Sequence, residues 1–359
     1  MALRQMTDIH IKQFEMSELD ALLSFLHAAY PGEPLKSDPK VWKWHFLENP
    51  NVDPSSVPIW IAKDGDKIVG QVAGIPVGVN IGTSQRRAIW LVDFFVLPEY
   101  RLGGLGISLF QAPGGDTTVL LSLGYNDNSA AVMRLLRWQP LGRIHRHHIL
   151  LYPGHAADKL RPGTARSLLN LLYAPYRALL RRRRSAGTLR PVTSFDDAFD
   201  ELWEDASTQW PCAVVRNARW LDWQFKCQPG KKYDVLGYYD AGRLLGYIVL
   251  FFRKGTSNQA PPKASISDLC YGTTRSEEVI DDLLRGALQL ALERRAGSLV
   301  ADVLDERVDA SLRRLRFRRI KDSPRFAIKC TDRELASERR DWFLTRSDSD
   351  LSIFEEPNL

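Results

Sequence analysis

Hydrophobic positions along the chain switch between two spacings, and the switches outline the elements. Residues 17–29 and 38–47 carry apolar positions at helical spacing. Residues 57–63, 67–79 and 86–97 are dense in β-branched and aromatic side chains between Asp, Gly and Pro punctuation, which predicts three strands. A turn and helix over 102–111, a strand over 118–124, a helix over 128–138 and a strand over 141–151 complete the series. That order predicts an α+β fold, a mostly antiparallel meander closed by a strand–helix–strand unit.

The pattern then returns. Trp44-His-Phe46-Leu-Glu-Asn-Pro50 recurs as Trp223-Gln-Phe225-Lys-Cys-Gln-Pro229, and Asp64-Gly-Asp-Lys-Ile-Val-Gly70 as Asp240-Ala-Gly-Arg-Leu-Leu-Gly246. Asp93 inside IWLVDFFV is matched by Asp268 inside ASISDLCY, and VMRLLRWQPLG by SLRRLRFRRIK. Four ordered matches at offsets of 175–179 residues predict two copies of one fold. The expected division is a first domain over 1–152, a connector over 153–190, a second copy over 191–331 and a tail over 332–359.

A length of 359 residues suits two domains, and 44% hydrophobic with 26% charged residues excludes a mostly disordered chain. The net charge of +6 is local: residues 156–190 hold nine cations against one acid, Asp158. The basic balance therefore does not describe a nucleic-acid surface spread over the molecule. In the same segment, leucines from Leu168 to Leu180 follow helical spacing, interrupted at Pro175. A basic amphipathic helix of this kind could touch an anionic surface. Cys212, Cys227, Cys270 and Cys330 form no CxxC pair, so no zinc or other metal site is expected. The opening residues lack a long apolar stretch, and no run approaches membrane-spanning length; a cytoplasmic location is expected.

The sharpest motif follows the strand IWLVDFF: Val96-Leu-Pro98-Glu-Tyr-Arg101-Leu-Gly103-Gly104-Leu-Gly106. A glycine-rich turn between strand and helix lets backbone N–H groups approach phosphate oxygens, and the helix start adds positive potential. It is neither a Walker A loop, lacking GK[ST], nor a dinucleotide GxGxxG. The segment resembles the acyl-CoA signature of the GNAT acetyltransferase superfamily. The resemblance implies that Phe94, Phe95 and Val96 line the pantetheine arm. It also implies that Arg101, Leu102, Gly103, Gly104, Leu105 and Gly106 hold the pyrophosphate, with the Val96 N–H polarising the thioester. In YNDNSAAVMRLLRWQPLG, Asn128 best fits the family's second signature, with Asn126 next. The family's frequent proton-donating Tyr is missing; Leu135 and Leu136 stand in that region. The second copy, with Tyr271-Gly-Thr-Thr-Arg-Ser-Glu-Glu after Asp268, lacks the phosphate loop.

The resemblance implies an acyl-CoA-dependent N-acyltransferase, most simply acetyl-CoA to a primary amine on a small molecule or peptide. The alternatives are a FemX-like aminoacyltransferase and a protein that binds acyl-CoA without turnover. Asp93 is the candidate base, since a carboxylate beside an apolar channel should hold its proton more tightly. Its match to Asp268, in the copy without a loop, favours a structural role, bonding backbone at a strand bulge. Glu99 is expected to pair with Arg101. His145 and His147 should share one strand face, read as exposed. Trp42, Trp44, Trp220 and Trp223 read as core, while Trp210, Trp220 and Tyr247 are candidates to shape an acceptor pocket.

Overall fold

The computed structural model describes residues 9–114, 119–153, 164–180, 187–254, 261–330 and 338–353. In chain order the first elements are β1 (Ile9–Gln13), α1 (Leu19–Ala29), α2 (Pro39–Phe46), β2 (Ile59–Asp64), β3 (Lys67–Ile81) and β4 (Ser84–Val96). Then come α3 (Leu105–Gln111), β5 (Val119–Leu123), α4 (Asp127–Leu135), β6 (Gln139–Arg143) and β7 (His145–Leu150). The connector supplies α5 (Thr164–Leu172) and α6 (Ala174–Leu180), broken next to Pro175 as its ring requires. The later elements are β8 (Thr188–Pro191), α7 (Asp197–Ser207), β9 (Cys212–Val214), α8 (Ala218–Phe225), β10 (Tyr233–Asp240) and β11 (Arg243–Arg253). They continue as β12 (Lys263–Tyr271), α9 (Ser276–Glu293), β13 (Ser298–Leu304), α10 (Glu306–Arg314), β14 (Arg318–Ile320), β15 (Arg325–Lys329) and β16 (Trp342–Thr345).

The chain forms two compact units, one of Met1–Val79, Gln85–Gly142 and Arg325–Ala336, the other of Asn80–Ser84, Arg143–Pro324 and Ser337–Leu359. In the first, the strand order is β1-β2-β3-β4-β5-β15-β6. β4 and β5 run parallel, while the β1–β2, β2–β3 and β5–β15 pairs are antiparallel. Leu22, Phe25, Leu26 and Ala29 recur at helical spacing and put one face of α1 into the core. Asp38 caps α2 by accepting from the Lys40 and Val41 amides, with Pro39 at the first helical position.

The second unit orders its sheet β14-β7-β13-β12-β11-β10-β8, with β12 and β13 parallel. Its caps repeat those of the first. Asn217 caps α8 where Asp38 caps α2, and Asp305 caps α10 where Asn126 caps α4, each pair 179 residues apart. The tail docks instead of fraying: Trp342 to Leu344 are buried, and β16 pairs with both β13 and β9.

Sheet pairing crosses the boundaries that the sequence repeat suggests. The expected strand over 141–151 divides at Ile144, and its second part, β7, pairs with β13 from Leu150↔Ser298 to His145↔Val303. The corresponding edge of β5 is filled by β15, from Leu123↔Phe326 to Leu120↔Lys329. The chemistry suits the exchange. Phe326, Ala327 and Ile328 are all buried, matching a β5 buried on both faces, and the Phe326 ring lies 5.9 Å from that of Trp90. Residues 1–152 expressed alone therefore leave the β5 edge open. We expect no cooperative unfolding transition from that fragment by calorimetry. Residues 1–142 joined to 321–336 by a flexible linker should restore one.

Candidate active site

β4 runs parallel to β5 only over its first half, from Ala88↔Val119 to Trp90↔Leu121, and then continues to Val96. A strand leaving its partner opens a wedge beside the free portion, and the glycine loop begins there. After two short turns at Pro98–Tyr100 and Leu102–Gly104, α3 starts at Leu105. Gly103 and Gly104 adopt φ of 84° and 83°, left-handed values that cost a residue with a Cβ about 1–2 kcal/mol. A Cβ on Gly104 would meet nothing within 4 Å, so the loop presents backbone towards open space. Arg101 is exposed; its Nε donates to the Val96 carbonyl at 2.9 Å and its guanidinium covers the Phe95 ring at 5.4 Å. Glu99 pairs with Lys67 at 3.6 Å, not with Arg101 as the sequence suggested, because Arg101 turns back to the end of β4.

Phe94 and Phe95 are half-buried on opposite sides of β4, the former against Phe110 at 4.9 Å and the latter against Tyr30 at 5.4 Å. Val96 and Leu105 are buried in the core behind the loop. Asn126 caps α4 by accepting from the Ser129 amide, while Asn128 is exposed in the helix's first turn. Leu135 is 68% exposed and Leu136 is buried, so a hydroxyl donor is absent from both positions.

Asp93 lies at a break in the strand. Its φ of 50° is left-handed, a conformation that Asp tolerates better than most residues, and the alternation of β4 fails there: Leu91, Val92 and Asp93 are all buried. The carboxylate does not face a bare apolar wall. The Lys36 ammonium bonds to its Oδ1, with the two side chains 7% and 3% exposed. Lys36 also lies 4.8 Å from the centre of the Tyr30 ring and 3.7 Å from Glu33. Next to this pair sits His45, buried in α2; burial, with Asp93 opposing and Lys36 reinforcing, pushes its imidazole down to about 4 from 6.5.

The second unit rebuilds the pair. Arg216 donates to Asp268 at 3.3 Å and to both oxygens of Asp348, at 2.8 and 2.7 Å. Tyr247 and the Thr345 hydroxyl complete the shell of Asp268 at 2.8 and 2.7 Å. Lys36 and Arg216 are 180 residues apart, Asp93 and Asp268 175. Sequence reading missed Lys36 and His45. The signal was a cation near the repeat offset and a His inside the repeated Trp44–Phe46 segment.

Where the first unit has its glycine loop, the second has its own carboxylate. Asp205 on α7 accepts from the Thr273 amide at 2.8 Å and the Thr273 hydroxyl at 2.6 Å, and a Cβ on Gly272 would run into its Oδ2. Trp210, Trp220 and Tyr247, expected to shape an acceptor pocket, are 7%, 5% and 1% exposed and belong to the core of the second unit. His145 and His147 do share a face, but not an exposed one: His147 is fully buried, His145 Nδ1 bonds to Asp309 at 3.2 Å, and His147 Nε2 lies 2.8 Å from the same carboxylate. No cluster of three metal-ligating side chains occurs among the described residues, and none of their helices is long and apolar enough to cross a membrane.

Residues 10–112 match the family model of the acetyltransferase (GNAT) domain. Three solved structures share the architecture of most of the chain. A probable N-acyltransferase of unknown function from Enterococcus faecalis is 14% identical at a TM-score of 0.62, covering 92% of this chain and 74% of its own. Saccharomyces cerevisiae N-myristoyltransferase with bound myristoyl-CoA is 12% identical at 0.59, covering 91% and 83%. A GCN5-related N-acetyltransferase from Anabaena variabilis is 13% identical at 0.58, covering 90% and 73%. No curated protein matches. Residues 10–112 thus match a GNAT-type domain, and the chain as a whole shares its fold with these N-acyltransferases.

Removing one partner from a buried ion pair leaves the other charge desolvated and costs about 3–5 kcal/mol. Asp93→Asn and Lys36→Met should each lower stability by that order in denaturant unfolding. The double variant should lose clearly less than the two losses together. Additive losses would mean that the pair is not coupled. His45 supplies a pH test. Its folded value lies below its unfolded one, so the unfolded chain binds the extra proton, and stability falls as pH drops from 6.5 towards 4. The full effect is at most about 3 kcal/mol. His45→Asn should flatten that slope relative to the parent protein.

Proposed function

We propose that the protein is an acyl-CoA-dependent N-acyltransferase whose single cofactor site lies at the end of β4. The reading rests chiefly on Gly103 and Gly104, two consecutive left-handed residues joining a strand that has left its neighbour to the start of a helix. The loop from Arg101 through Gly106, including Leu102 and Leu105, would take the CoA pyrophosphate on its backbone N–H groups. Phe94, Phe95 and Val96 would line the pantetheine arm, and the Val96 N–H would polarise the thioester carbonyl as negative charge develops on its oxygen. An amine then attacks that carbonyl directly, and CoA leaves as the thiol. Asn128 would flank the cofactor tail from its exposed place on α4. Acetyl is the simplest group to transfer, and the myristoyl-CoA bound by the yeast enzyme makes longer chains the natural comparison. The acceptor in this reading is a primary amine on a small molecule or peptide, and no metal takes part.

A second reading has its own support. With Lys36 bonded to Asp93 Oδ1 and Leu135 standing exposed where a hydroxyl donor would serve, the protein could hold acyl-CoA without turning it over. For a catalytic Asp93, Lys36 would be the group that positions it. FemX-like transfer from an aminoacyl-tRNA fits less well, since an open phosphate loop serves no purpose in it.

Titrating acetyl-CoA and myristoyl-CoA against the melting temperature tests binding, because a ligand of the folded state alone must raise it. Free-thiol release with a panel of amines then separates turnover from binding. Gly104→Glu should cut acyl-CoA affinity about 100-fold through like charge against the pyrophosphate. Thr274→Glu, in the loop already holding Asp205, should leave affinity unchanged. Equal losses would sink the single-site reading.

A further inference from the structure

Among the described residues of the second unit, one cleft collects cations without matching acids. About 170 Å³ in volume, it is lined by Arg146, Arg253, Lys263, Ser265, Ser298 and Arg346. Register puts the strand residues on one sheet face, since Arg253 stands directly opposite Lys263, Lys263 opposite Ser298, and Ser265 opposite Val300. Two of the cations are already anchored. Arg146 makes a two-pronged contact with Asp302 at 2.7 and 3.1 Å, and Arg346 bonds to the same carboxylate, whose side chain is fully buried. Among the described residues no acid lies within ion-pair distance of Arg253 or Lys263. Arg253 and Lys263 face each other across a ladder, where like charges repel. The same field reaches His148, whose imidazole is pushed down by burial and then by Lys263.

A concave site that fixes two guanidinium forks on a buried acid, keeps two further cations unpaired and has serine hydroxyls at hand is built for a polyvalent oxyanion. We infer that this cleft binds a phosphomonoester group, independently of the acyl-CoA loop. A dianion suits the excess charge better than a single carboxylate, and the volume admits a phosphoryl group with its ester oxygen and little more. A soluble metabolite or a lipid headgroup could carry it.

Thermal unfolding of the full chain in inorganic phosphate, against sodium chloride at equal ionic strength, tests the inference. Saturating phosphate should raise the melting temperature by about 2–4 °C. Gly104→Glu should keep the rise, whereas the double variant Arg253→Gln/Lys263→Gln should lose it while melting normally in chloride. No rise over chloride, or a rise that survives the double variant, overturns the inference. If the double variant does not fold, amine-reactive acetylation read by mass spectrometry serves on the parent protein. Phosphate should slow labelling of Lys263 several-fold relative to the exposed Lys43, and equal labelling overturns the inference. The source is then read with glycerol 3-phosphate and with phosphatidylcholine vesicles containing phosphatidic acid. A shift with the first alone supports a soluble ester. Pelleting with the vesicles that the double variant abolishes supports a lipid headgroup.

Discussion

One buried ion pair at the kink of the parallel strand organises each unit. In the first, Lys36 meets Asp93; in the second, Arg216 meets Asp268. A desolvated charge tolerates neither loss of its partner nor much displacement from it, so the pair pins the segment before α2 to the middle of β4. That middle is where the strand departs from β5, and everything proposed for the acyl group lies just beyond it: Phe94, Phe95, Val96 and the loop. A left-handed Asp93 supplies the bend, and the ammonium holds the bend in place. Structural and catalytic readings of Asp93 are therefore not rivals in geometry. The contact with Lys36 that would hold the bend is the same contact that would orient the carboxylate in a catalytic reading.

Strand exchange constrains the molecule in a second way. The first unit is complete only when residues 325–329 reach β5, and the second only when residues 145–150 reach β13. A chain in which each sheet needs a strand from the other half of the sequence has many long-range contacts, which slows folding. It also ties the persistence of the second copy to the stability of the first. In sequence the second copy lies between the two segments that the first sheet requires, so the chain cannot shed it without opening that sheet.

Much of this could be read from the residues. Periodicity located most elements of the first copy, and the glycine, proline and capping residues marked the loop and the helix starts, since local backbone conformation depends on local chemistry. β1 escaped notice because IHIKQ is short and mixed. The exchange was illegible for a different reason: two copies of one fold present equivalent edges, and periodicity says that a strand exists without saying which equivalent neighbour it joins. Lys36 escaped because its partner lies 57 residues away, where no helical or strand period links them. Its counterpart at the repeat offset was visible all along in Arg216. The histidines show the converse error. Alternation placed His145 and His147 on one face correctly, but only packing could bury that face against Asp309.

The two loops show how a duplicated fold divides its roles. Both begin after a buried Asp on a parallel strand and both precede a helix, so both start with unsatisfied amides at a helix entrance. Such amides need a negative group. In the second unit Asp205 answers that need from within, and Glu277 and Glu278 add further charge in the first turn of α9. The Thr273 amide and hydroxyl are both taken up by that carboxylate. In the first unit Gly103 and Gly104 are left-handed and exposed, and theirs is the loop for which we propose a bound pyrophosphate. In our reading one electrostatic requirement is met by Asp205 in the second copy and by a ligand in the first, and the proposed division of roles follows from that. In the second copy Thr273 and Thr274 stand between Gly272 and the start of α9, and the carboxylate that Thr273 binds comes from a neighbouring helix.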